Sequence, residues 1–282
     1  MTNRLLLVDS MNLVYRVAHV PSFTGLTNSK DEQTGILHGF LTSLLLFAKY
    51  TDEIVVVWDT RSERKRKLFS DYKAKRDDKD PIAKLLQEEL TKQLVPLKKI
   101  LKMMGIVQYQ IEGYEADEII GCLALLADQR SVILSEDKDY LQLVSEDISI
   151  WQPIRKRIVT TRNFSELYHG LTPKQYFTFR TYTGDSSDEI PGVPSCGEKT
   201  GLDIVFKRES KLAERLFKKH GTSIINQITE RNKELMQITE ASVPAELLEQ
   251  KQEDTLDLDR LELLLNRYEL SRVRELWIDK MM

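Results

Sequence analysis

The runs RLLLV (Arg4–Val8) and EIVVVW (Glu53–Trp58) are each followed at once by an aspartate, Asp9 and Asp59. Short leucine and β-branched runs of this kind read as strands buried on both faces. IVQYQI (Ile106–Ile111) and SVIL (Ser131–Leu134) are further strand candidates, and ISIW (Ile148–Trp151) is a weaker one. Helical patterns separate them: leucine-rich Gly35–Tyr50, Pro81–Met104 with apolar residues at helical intervals, and Ala116–Ala127 behind an acidic start. Pro96 is expected to break or kink the second of these. The alternation predicts an α/β fold, a mostly parallel sheet flanked by helices on both faces. In open parallel sheets ligands bind beyond the carboxyl ends of the strands, so the residues that follow each run matter most.

Those residues are acids. Asp9 and Asp59 end two strands, and Glu115, Asp117 and Glu118 follow the third in GYEADE. Asp137 and Asp139 follow the fourth in SEDKD. Asp185 and Asp188, in TGDSSDEIPGVPSCGEKT (Thr183–Thr200), join them if that loop folds over the sheet edge. Any one of these is explained by the preference of acids for helix N-termini. Together they cannot all ionise without compensating charge. Oxygen-only donor sets select hard ions such as Mg²⁺ or Mn²⁺. The histidines (His19, His38, His169, His220) lie outside these motifs, which disfavours zinc. A carboxylate-held pair of ions is an arrangement that cleaves phosphodiesters.

The net charge of −3 is unevenly placed, since residues 61–79 carry nine basic residues against four acidic ones. The run reads equally well as a solvated helix face or as a nucleic-acid contact. Phe69 and Tyr72 within it favour the contact, because stacking and cations together hold single strands. In Thr183–Thr200, Gly192 and Gly197 lead into a helix, which suits phosphate binding on backbone N–H groups. No apolar run reaches the roughly 18–20 residues that span a bilayer. The start MTNRLLLVDS lacks signal-peptide features, and Cys122 and Cys196 lack metal-ligand spacing. A cytoplasmic protein without membrane contact is expected. From about Leu171 the chain turns to helices without convincing strands, and residues 208–282 suggest packing or duplex support.

The motifs LLLVDSMNLVYR, VVVWDT, FSDYKAKR, GYEADE, LSEDKDYLQL and TGDSSDEIPGVPSCGEKT, in this order, resemble the 5′-nuclease superfamily of flap endonucleases and 5′-3′ exonucleases. The similarity runs from about residue 4 to about 207. It implies a PIN-like catalytic domain over 1–170 with a helical arch at about 73–100. A helical DNA-binding region over 171–282 would follow, with a helix–three-turn–helix at about 183–207. It implies that Asp9, Asp59, Glu115 and Asp117 hold a first metal, with Glu118, where the family has aspartate, holding its waters. Asp137, Asp139, Asp185 and Asp188 would form the second site, for two or more Mg²⁺ or Mn²⁺ ions. Lys73 and Arg76 would contact the scissile phosphate from the arch base, and Tyr72 would stack on a base or simply pack there.

Gly192, Gly197, Lys199 and Thr200 would grip duplex DNA, in the family often with a bound K⁺. Pro194, Ser195 and Cys196 depart from the family pattern at that hairpin, where a second glycine and an apolar residue are usual. The implied substrates are DNA with 5′ flaps, ends or branches, with RNA–DNA hybrids and primer removal also open, for a monomeric enzyme of replication or repair in a bacterium or phage-infected cell. A DNA-structure-binding protein without catalysis and a PIN-type ribonuclease are the alternatives. The retained acids weigh against the first, and residues 183–200 against the second.

Overall fold

The computed structural model describes residues 4–23, 25–49, 51–74, 81–249, 251 and 256–281. The chain begins β1 (Arg4–Asp9), α1 (Ser10–Ala18), α2 (Gly35–Ala48), β2 (Glu53–Val57), α3 (Glu63–Leu68), α4 (Pro81–Met103) and β3 (Val107–Tyr109). It continues with α5 (Ala116–Leu126), β4 (Arg130–Leu134), a 3₁₀ turn (Asp139–Leu143), β5 (Ile148–Gln152), β6 (Arg157–Val159), α6 (Phe164–Leu167) and α7 (Pro173–Thr183). A short ribbon, β7 (Gly184–Asp185) and β8 (Ile190–Pro191), precedes α8 (Glu198–Val205) and α9 (Lys211–His220). The chain ends in α10 (Thr222–Met236), α11 (Ala245–Leu248), α12 (Leu258–Arg267) and α13 (Ser271–Met281).

The main sheet runs β3-β2-β1-β4-β5-β6. Its first five strands are parallel, and β6 returns antiparallel to β5. Leu7 of β1 lies between Val55 and Ile133 in register. Because strand side chains alternate, Leu6 and Val8 enter one core while Leu5 and Leu7 enter the other. The chain leaves β1 toward β2 and β3 and then crosses back to β4. The strand order therefore reverses at β1/β4, and the crevice above that point is where this architecture places a ligand.

Two expectations need correcting. The segment expected to form an arch to about residue 100 is, from Leu90 onward, a core helix. Leu90, Leu97, Ile100 and Leu101 of α4 are buried with α2, and the helix continues through Pro96 without interruption. Arg76, assigned to the arch base, lies outside the described residues. The cut at 170/171 also does not separate two cores. Leu261, Leu265, Leu270, Val273 and Trp277 of the last two helices share the core built around α2 and α4. The β7–β8 ribbon is an addition, since two-residue strands leave no periodicity to read. No helix among the described residues is long and apolar enough to cross a membrane.

Candidate active site

The crevice at the strand ends is a cavity of about 680 Å³, and its lining includes Asp9, Asp59, Lys73, Glu115, Asp117 and Asp137. Asp9, the last residue of β1, is fixed from three sides. Asn12 N–H donates to its Oδ1 at 3.1 Å, Ser135 Oγ to its Oδ2 at 3.1 Å, and Tyr140 Oη to the same Oδ2 at 3.4 Å. The bond from Asn12 also caps α1, so one carboxylate starts a helix and faces the crevice. Asp59 accepts from Ala116 N–H at 2.9 Å, which ties the end of β2 to the start of α5. Asp137 accepts from Asp139 N–H at 2.9 Å. Glu115, Asp117 and Glu118 bring carboxylate oxygens within 4.8 Å of one another.

Basic side chains are folded in among some of these acids. The buried Lys65 ammonium lies 2.9 Å from Glu115 and 3.3 Å from Asp117. Lys73 Nζ lies 2.8 Å from Glu115 and 3.5 Å from Asp188, and Lys73 N–H donates to Asp188 O at 3.2 Å. Lys73 has φ 53°, a left-handed conformation that costs a non-glycine residue of order 1 kcal/mol. Arg180, on α7, bridges Asp139 at 2.9 Å and Asp185, joining the 3₁₀ turn to the β7–β8 ribbon. Arg64 pairs with Glu118, whose Oε2 also accepts Glu115 N–H. Asp139, Asp185 and Asp188 thus flank the cavity through these ties rather than lining it.

The electrostatics divide accordingly. Burial, then the Asp137 and Asp59 carboxylates, push Asp9 up to about 7. Burial, then Glu115 and Asp117, raise Asp59 to about 6. Asp137 is raised by burial and by Asp117. Asp139 is raised by burial, which outweighs Arg180. For Glu115 burial acts upward too, but Lys65 and Lys73 overcome it and hold the carboxyl at about 2. The donor set is oxygen only, and several acids lack enough positive charge to stay ionised, which fits hard divalent cations.

Of the two readings of Tyr72, packing is the one its surroundings match. Its side chain is buried with Ile190, Leu235 and Met236, and its hydroxyl donates to Glu115 at 2.6 Å. In the hairpin, Gly192 lies so close to the backbone of Thr183 that a Cβ would stand 2.4 Å from its carbonyl, so the packing there requires glycine. Thr200 is buried, whereas Gly197 is open at the start of α8 and Lys199 is exposed. Ser195 takes φ 69°, where a glycine is at ease, and Cys196 is buried beside Val193, Leu216 and Ile225 as an apolar residue would be. The departures from the expected hairpin are accommodated by the fold.

The family model described as 5′-3′ exonuclease, N-terminal resolvase-like domain, matches residues 4–169. The chain belongs to this 5′-3′ exonuclease family. It is 34% identical over 212 residues to a 5′-3′ exonuclease of Buchnera aphidicola, with 73% of this chain and 71% of that protein covered. It is also 36% identical over 207 residues to the thermostable DNA polymerase I of Thermus filiformis, covering 72% of this chain but 23% of the polymerase. This chain therefore spans about a quarter of such a polymerase. Among solved structures it resembles the bacteriophage T5 flap endonuclease, determined with DNA and metal ions. The TM-score there is 0.70 at 19% identity, over 95% of this chain and all of that one. The flap endonuclease-1 of Methanococcus jannaschii gives a TM-score of 0.62 at 18% identity, over 99% and 91% of the two chains. These likenesses establish the shared PIN-like fold.

Lys65, Arg64 and Arg180 went unrecognised in the sequence as parts of the site. Lys65 and Arg64 stood within the basic run, but their carboxylate partners lie some 50 residues away. Arg180 sits in an ordinary helix with no local signal at all.

Proposed function

We propose that this member of the 5′-3′ exonuclease family is a structure-selective, divalent-metal-dependent 5′ nuclease that hydrolyses phosphodiesters of DNA at 5′ flaps and ends. The observation that carries the reading is the cavity at the strand-order reversal, where acids from β1, β2, α5 and the β4 loop meet Lys73. Asp9, Asp59, Glu115 and Asp117 would hold one Mg²⁺ or Mn²⁺ ion, with Glu118 behind them. Asp137, Asp139, Asp185 and Asp188 would hold another. When bound, such ions supply a deprotonated water and neutralise charge on the phosphate. The chain's own residues do the rest. Lys65 and Tyr72 hold Glu115 in one orientation, and Arg180 keeps the ribbon acids against the sheet edge. Lys73 exchanges a carboxylate for the scissile phosphate and steadies its developing charge. The open start of α8, with Gly197 and Lys199, takes a duplex phosphate. RNA–DNA hybrids are further candidate substrates in this reading.

The test is cleavage of end-labelled 5′-flap, nicked and hybrid substrates with Mg²⁺ or Mn²⁺, with and without excess chelator. Cutting near the flap junction that stops on chelation is expected. Undiminished cutting under chelation overturns the metal-dependent reading.

A further inference from the structure

The cavity that holds the acids has a second wall, built from α4, β3 and the end of β2, and one cation on it, Lys98, differs from those that pair with the acids. Lys98 lines the cavity with Trp58, Leu94 and Gln110. Its ammonium sits 4.5 Å over the Trp58 ring and donates to Gln110 Oε1 at 2.6 Å. Its backbone is tied in as well. Gln108 Nε2 donates to Lys98 O at 3.0 Å, and Gln108 Oε1 accepts from Trp58 Nε1 at 2.9 Å. Trp58 is itself buried and stacked on Phe40. Lys98 is therefore held from the stem, the ring and the carboxamide, on the buried stretch of a core helix.

Arg64, Lys65, Lys73 and Arg180 each pair with one or more carboxylates. Among the described residues Lys98 pairs with no carboxylate, and burial pushes its pKa down. A fixed, partly desolvated cation with no carboxylate partner among the described residues, in a cavity otherwise crowded with acids, is costly unless an anion arrives. A neutral carboxamide and an aromatic face orient the ammonium without neutralising it.

We infer that Lys98 is a substrate contact that binds a DNA backbone phosphate of the cleaved strand other than the scissile one, with Trp58 and Gln110 as positioning residues. The inference rests on the proposed nuclease function and adds to it a specific anchor on the α4 wall. The scissile phosphate belongs to the acid wall and Lys73. Lys98 holds the same strand one step away, and so sets how far the strand runs into the cavity.

The experiment uses the full chain with Ca²⁺ in place of the catalytic ion and a fluorescent 5′-flap DNA, read by anisotropy over a range of salt concentrations. Lys98→Met keeps the stem over Trp58 and removes the charge, and Lys98→Arg restores a cation. The Met variant is expected to bind about five- to tenfold more weakly at low salt, with the plot of log K against log salt shallower by about 0.7 to 0.9, the loss of one phosphate contact. The Arg variant should recover most of both. Mn²⁺ binding to the free Met variant should match wild type, showing an intact acid wall. An unchanged salt slope and affinity in Lys98→Met, with wild type binding normally, overturns the inference alone. Failure of wild type itself to bind 5′-ended DNA removes the functional reading and the inference together.

Discussion

The two sides of the acidic cavity solve the same electrostatic problem in opposite ways. Around Glu115 the chain supplies its own positive charge. Lys65 and Lys73 lie within 3 Å, and the carboxyl is held at about 2. Around Asp9 and Asp59 it supplies mainly hydrogen bonds, and the carboxyls rise to about 7 and about 6. A buried carboxylate with a resident cation is a structural unit as well as a ligand. One without stays protonated more readily and leaves room for an added cation. On the proposed function, the Asp9/Asp59 side is where an ion would do the most electrostatic work, and the Glu115 side would keep the site in shape with no ion bound.

Substitutions on the two sides should diverge. Asp9→Asn should lower metal-dependent cleavage by about three orders of magnitude, since several kcal/mol of charge stabilisation depend on the ion. The melting temperature of the metal-free protein should hold or rise, because a disfavoured buried acid is gone. A clear fall in that temperature breaks the comparison. Glu115→Gln should damage cleavage and also destabilise the metal-free fold by about 3 kcal/mol, because Lys65 and Lys73 lose their shared partner in a buried setting; chemical denaturation measures it. Lys73→Ala should reduce single-turnover cleavage roughly 10²- to 10³-fold with little change in DNA binding. A loss confined to affinity would show its role to be electrostatic attraction only.

The pH dependence has a definite sign. Asp9 and Asp59 are raised above their ordinary value, so their contribution to metal-free stability is complete below about pH 4 and is lost as pH rises through about 6 to 7. Metal binding needs the ionised form. The rise in melting temperature on adding Mn²⁺ should therefore be larger at pH 8 than at pH 6, and equal shifts would contradict the uncompensated character of that side. The smallest effect belongs to the hairpin. Ser195→Gly relieves a left-handed serine and should stabilise the fold by about 1 kcal/mol.

The same division governs what the sequence reveals. The acids were legible because β1, β2 and β4 are short apolar runs with carboxylates at or just past their ends, and a parallel sheet gathers such ends at one edge. The cations were not. Lys65 reaches Glu115 across 50 residues and Arg180 reaches Asp139 across a change of element, which no local pattern encodes. The sequence left Tyr72 open between stacking and packing for a related reason: an aromatic among charges suggests stacking, but its burial is set by α10 and the ribbon, through Leu235 and Ile190. The resemblance implied an arch to about residue 100, but the later apolar stripe of α4 is matched to α2 and α12, a match made only in three dimensions.

The most direct measurement is anomalous diffraction from crystals of the wild-type protein equilibrated with Mn²⁺. An ion in the cavity with Asp9 or Asp59 among its ligands, and Lys65 still on Glu115, is the expected result. Manganese found only at surface acids, with the Asp9–Asp59 side unliganded, would contradict it.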